Sequence, residues 1–83
     1  MNTRSYDAAL KSIDRIAKPS AQILEARQKI LFQLGTQSFA NADFEQALKY
    51  LNQSIAIGQY NRQTKADAYY WCGESYYRLN RMV

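Results

Sequence analysis

Tyr6-x-x-Ala9-Leu10-x-x-Ile13-x-x-Ile16 returns as Phe44-x-x-Ala47-Leu48-x-x-Leu51-x-x-Ser54, and Leu34-Gly35 returns as Cys72-Gly73. Each pair stands 38 residues apart. A constant stride of this length is what a stacked helical array leaves in sequence, because each unit is one supersecondary element that buries its apolar face on the next. Within each unit the apolar positions recur three and four apart, the spacing of one face of an α-helix.

Composition limits what such an array could be. Apolar residues make up 47% of the 83 and charged residues 22%, values of a folded domain and not of a disordered tail. A core of this size buries only about 60 to 65% of the unfolded surface, so stability is expected to be marginal. The longest uncharged stretch, residues 30–42, holds Gln33, Gly35, Thr36, Gln37, Ser38 and Asn41, which argues against a membrane span. The first twenty residues are studded with charge and carry no apolar signal-peptide core. The net charge of +4 is dispersed over both ends of the chain. No histidine is present and Cys72 is the single cysteine, so zinc sites, imidazole base chemistry and an internal disulfide are excluded within these residues.

With three glycines and one proline to interrupt the helical spacing, the reading is all-α, one domain over residues 1–83 with four helices. The first is expected over 3–17, with Tyr6, Ala9, Leu10, Ile13 and Ile16 on one face. It must stop near Lys18, because Pro19 disfavours the α-region for the residue before it. Ser20 caps a second helix over 20–40, carrying Ile23, Leu24, Ile30, Leu31, Leu34 and Phe39. Asn41-Ala42-Asp43 forms a turn and Asp43 caps a third helix over 43–58, which Gly58 ends. Gln59 to Gln63 reads as a polar connector. Thr64-x-x-Asp67 resembles a capping box that opens a fourth helix over 64–79, whose face of Ala68, Tyr69, Cys72, Tyr76 and Leu79 repeats that of the second. Short connections make sequential helices antiparallel, a zigzag of helical hairpins. Gly35, Ala47, Ala9 and Gly73 are expected where neighbouring helices come closest.

Leu31-x-x-Leu34-Gly35-x-x-Ser38-Phe39 and Tyr69-x-x-Cys72-Gly73-x-x-Tyr76-Tyr77, with Phe44-x-x-Ala47-x-x-x-Leu51 and Tyr6-x-x-Ala9-x-x-x-Ile13, resemble the two-helix signature of the tetratricopeptide repeat (TPR) family. The likeness spans roughly residues 4 to 80. It departs in three ways: the period is 38 instead of 34, Ser38 stands where the family prefers an aromatic, and no proline follows the third helix. Longer periods occur in bacterial variants of the repeat, and beginning in a second helix and ending in a first makes the chain look like a piece of a longer array. The run Ala68-Tyr69-Tyr70-Trp71-Cys72-Gly73-Glu74-Ser75-Tyr76-Tyr77 is similar to repeats of cell-envelope proteins of Gram-negative bacteria. That implies a periplasmic or cell-envelope location, with the cytoplasm left open.

The resemblance implies a TPR-like hairpin array acting as a non-enzymatic protein-binding scaffold, without cofactor or metal. Its concave face would be lined by Lys29, Phe32, Gln33, Thr36 and Phe39 from one helix, and by Asp67, Tyr70, Trp71, Glu74, Tyr77 and Arg78 from another. Aromatic rings there would bury an apolar peptide or partner helix, with Gln33, Thr36 and Arg78 giving hydrogen bonds. Thr36 and Glu74 occupy the inward places where the family's carboxylate clamp uses lysine and asparagine, which disfavours such a clamp. Tyr6, Tyr69 and Tyr76 are expected in the core, whereas Tyr70 and Tyr77 read either as core or as groove. Cys72 reads as a small packed hydrophobe. Asp67 and Glu74 share a helix face, but without a nucleophile or phosphate loop they are expected to form ion pairs, with Arg78, Lys65 or Arg62.

Two further classes compete. Arg4, Lys11, Arg15 and Lys18 share a face, which would suit nucleic acid, but Asp7 and Asp14 interleave with them and predict pairs Asp7 to Lys11 and Asp14 to Lys18, so nucleic acid is not expected as a partner. The other is self-association, a homodimer through the array ends, with Ile13 and Ile16 at one end and Tyr69, Tyr76, Leu79 and Met82 at the other.

Overall fold

The computed structural model describes residues 3–18 and 20–81. Pro19, read above as a helix stop, and Met82, read as part of an apolar end, lie outside them. The described residues form four α-helices and no strand: α1 (Thr3–Asp14), α2 (Ala21–Ala40), α3 (Phe44–Ile57) and α4 (Arg62–Arg81), with a single 3₁₀ turn over Gly58–Tyr60 before α4. Each helix packs on its neighbour in sequence, most extensively α2 on α3 and α3 on α4, and α2 also touches α4. The all-α array read from the sequence is thus the fold, and its extents of 42 × 25 × 19 Å are those of helices laid side by side.

Local chemistry sets most of the boundaries. The Ser20 hydroxyl accepts from Ile23 N at 3.3 Å, and the Asp43 carboxylate accepts from Gln46 N at 3.3 Å, so both expected N-caps are formed. Between α2 and α3 the chain turns through Ala42 at φ 62°, with Ala42 N donating to Phe39 O and Asp43 N to Ser38 O. That is a Schellman closure with alanine at the left-handed position usually given to glycine. The fourth helix begins two residues earlier than expected. Asn61 is its cap, accepting from Thr64 N at 2.9 Å, so Thr64 lies inside the first turn instead of capping it. The connector shrinks accordingly to the 3₁₀ turn and Asn61.

The first helix ends three residues earlier than the apolar spacing predicts, at Asp14. Ile16 N donates to Ile13 O, which tightens the last turn, and Ile16 is 40% exposed, so no burial rewards a longer helix. Asp14 does not pair with Lys18, nor Asp7 with Lys11: the Asp14 carboxylate instead accepts from Arg27 Nε of α2 at 2.9 Å, tying α1 to its neighbour.

Leu31, Leu34, Phe44, Ala47, Leu51, Ala68 and Cys72 are buried, and Ala47, Leu51, Ala68 and Cys72 form the continuous core shared by α3 and α4. Each buried leucine contributes about 1.5 to 3 kcal/mol. Gly35 does meet α3 closely, as expected, but its counterpart Gly73 is open, with no atom within 4 Å of where a Cβ would stand. Tyr69 and Tyr76, expected in the core, are 56% and 54% exposed. The physical reason is positional: Leu31, one period before Tyr69, is covered by α3, whereas no described helix follows α4 to cover Tyr69, Gly73 and Tyr76.

Candidate functional site

The residues named for the concave face come from α2 and α4, which sit side by side where Phe39 meets Trp71 edge to face, ring centroids 5.0 Å apart. The contact is one step of a ladder. Phe44 stands edge-on to Phe39 at 5.2 Å and Tyr70 edge-on to Trp71 at 5.3 Å. Such T-shaped pairs set the electropositive ring edge against a neighbour's negative face, which adds about 0.5 to 1.5 kcal/mol to simple burial. The Arg78 guanidinium carbon lies 5.8 Å from the Phe39 ring centroid, within cation–π reach.

Of the named residues, Phe32, Phe39 and Trp71 are half-buried and pack against the α3–α4 core, so they are both wall and foundation. Tyr70 and Tyr77 are exposed, at 61% and 56%, so neither is a core residue. Gln33, Thr36 and Glu74 are half-buried and Arg78 is exposed. The Thr36 hydroxyl donates to Gln33 O at 3.0 Å, so toward a ligand it can only accept. Lys29 lies near the middle of α2, ten residues before Phe39, with its ammonium 3.6 Å from Glu25.

The expected ion pairs on α4 are not formed. Asp67 accepts from Gln63 Nε2 at 3.0 Å, and Arg78 stacks on Phe39; the two ion pairs among the described residues are Arg27 with Asp14 and Lys29 with Glu25. Arg78 is exposed and forms no ion pair among the described residues.

Gln28 is the residue that sequence reading passed over. It is fully buried on α2; its Nε2 donates to Gly58 O at 3.3 Å and Asn61 O at 2.9 Å, while its own backbone carbonyl accepts from Ser54 Oγ at 2.8 Å. One glutamine thereby joins α2, α3, the 3₁₀ turn and the start of α4, which sets where α4 lies relative to α2. Its Oε1 is buried without a hydrogen bond. The signal was present: Leu24, Gln28, Leu31 and Gly35 fall four, three and four apart, so the glutamine occupies the phase of the α2–α3 contact.

Cys72 is buried with its thiol pushed above the ordinary value by desolvation, and Sγ stands 3.9 Å from Asn52 Oδ1. A protonated, enclosed thiol is a poor nucleophile. Among the described residues no His, Cys, Asp or Glu are grouped to hold a metal ion, and no helix is long and apolar enough to cross a membrane. Among the described residues no closed pocket is found. Compared with protein-family models, with curated proteins and with solved structures, the chain gives no match.

Proposed function

We propose that this chain is a tetratricopeptide-type, non-enzymatic scaffold that holds an extended or helical segment of another protein against the α2–α4 face. The observation that carries the reading is the Phe39–Trp71 contact, which joins the two helices and leaves Tyr70 and Tyr77 exposed beside a ring-stacked Arg78. An aromatic face with a guanidinium at its edge suits apolar side chains flanked by carbonyls or carboxylates. Each ring that becomes well buried contributes about 1.5 to 3 kcal/mol. The family resemblance, the all-α array and the 38-residue stride agree with this reading.

Screening the chain against an immobilised library of twelve-residue peptides tests it. Retained peptides should be enriched in Phe, Tyr, Trp and Leu, and the double variant Tyr70→Ala/Tyr77→Ala should lose them while keeping its far-UV circular dichroism. Unchanged retention in that variant would remove the face from consideration.

A further inference from the structure

The open edge of α4 is the unfilled copy of a joint already made inside the chain. In the α2–α3 joint Leu31 is fully buried and Gly35 lets Leu51 approach, with Phe44, Ala47 and Leu51 of α3 buried against it. One period later α4 presents Tyr69, Gly73 and Tyr76 at the same phase, all exposed. The chain also carries the other half of that joint. Tyr6, Asp7, Ala9, Leu10, Lys11 and Ile13 of α1 repeat Phe44, Glu45, Ala47, Leu48, Lys49 and Leu51 of α3 at a constant 38 residues. Ala47 and Leu51 are fully buried, whereas Ala9 and Ile13 are only half-buried, because α1 packs on α2 alone.

We infer that a second copy of this chain docks its α1 on the Tyr69–Gly73–Tyr76 edge of α4, in the register that α3 keeps on α2. The stacking joint then continues from one copy into the next. This edge adjoins the Tyr70–Arg78 face: Tyr77 stands one period after Phe39, which meets Phe44 in the α2–α3 joint, so in this register it faces Tyr6 of the docked copy, and the inference rests on the repeat register and not on the docking reading above. Because the two surfaces differ, the contact is heterologous: a series of any length keeps one open α1 edge at one end and one open α4 edge at the other, and association runs past a dimer. Tyr69 and Tyr76 beside Gly73 tolerate water when unpaired, which suits a reversible contact.

Sedimentation velocity on the 83-residue chain from 5 μM to 500 μM tests it. The expected result is a weight-average mass that rises with concentration beyond that of a dimer. Gly73→Leu fills the groove where a side chain meets nothing in the monomer, so it should keep full helicity and weaken association at least tenfold. Ile13→Glu blocks the α1 side, with Tyr6→Glu in its place if Ile13→Glu costs helicity. Each blocked chain alone should be monomeric, and an equimolar mixture of the two should form a 1:1 dimer that grows no further. A parent chain monomeric at 500 μM, undiminished association of Gly73→Leu, or failure of the mixture to pair would each overturn the inference.

Discussion

Gly35 of α2 and Leu51 of α3 meet so closely that a Cβ on the glycine would stand 2.6 Å from Leu51 Cγ. Leu51 is fully buried, so its branch point has nowhere to move, and the Ala47 carbonyl oxygen lies 3.4 Å away on the same side. The missing side chain sets the α2–α3 spacing. Gly73, its repeat partner, has open space instead.

The same substitution should therefore change sign between the two glycines. Gly35→Ala gains about 1 kcal/mol in helix propensity but overpacks the joint by about 1 to 3 kcal/mol, for a net loss. Gly73→Ala keeps the gain, about 0.5 to 1 kcal/mol. Urea unfolding followed by circular dichroism at a few micromolar chain separates the two; destabilisation at both positions would contradict the packing difference.

Removing the Gln28 amide should cost more than its volume implies. In Gln28→Leu the Gly58 and Asn61 carbonyls lose their shared side-chain donor but keep the backbone donors Asn61 N and Lys65 N, so the cost is that of the lost hydrogen bonds, about 0.5 to 1.5 kcal/mol each, offset in part because the unbonded Oε1 disappears too. Amide exchange at the start of α4 should quicken more than in α1, since Gln28 bonds to the turn that leads into α4. Uniform loss of protection would instead mean that Gln28 matters only as bulk.

Ala42→Gly should stabilise the chain by about 1 kcal/mol. Alanine at φ 62° strains a backbone position that glycine adopts freely, and this relief exceeds the extra unfolded-state freedom of glycine. A rise of several degrees in Tm is the expected readout.

Cys72 should report the core through pH. Burial raises its folded thiol above the unfolded value of about 8.5, so the unfolded chain loses this proton first. Its contribution is thus complete below about pH 8.5 and declines as pH rises toward the folded value. Stability between pH 8 and 10 should fall more steeply in the parent than in Cys72→Ala, and a disulfide reagent at pH 8 should label the native chain far more slowly than the urea-unfolded one. Equal labelling rates would mean that the thiol is not enclosed.

Much of the fold was legible because helical periodicity, caps and turns are local. Ser20 and Asp43 sit where a side-chain oxygen can reach an N–H three residues on, and that reach depends on nothing distant. The misplaced ends have non-local causes. At Asp14 the carboxylate found Arg27 on another helix, and Asn61 became a cap within a turn that Gln28 holds from α2. The candidate face was half legible: helix phase placed Phe39, Trp71 and Arg78 together, but not the stacking that occupies Arg78 in place of Glu74.

The amino-acid order by itself determined a stride of 38 residues, four amphipathic helices and the register in which they repeat, since these follow from side chains three and four positions apart. Tertiary structure alone decided which members of each repeated pair are covered: Leu31 and Gly35 are, Tyr69 and Gly73 are not. Burial belongs to a residue and its neighbour jointly, and equivalent positions in a repeat differ as soon as one of them lacks the helix that packs on it.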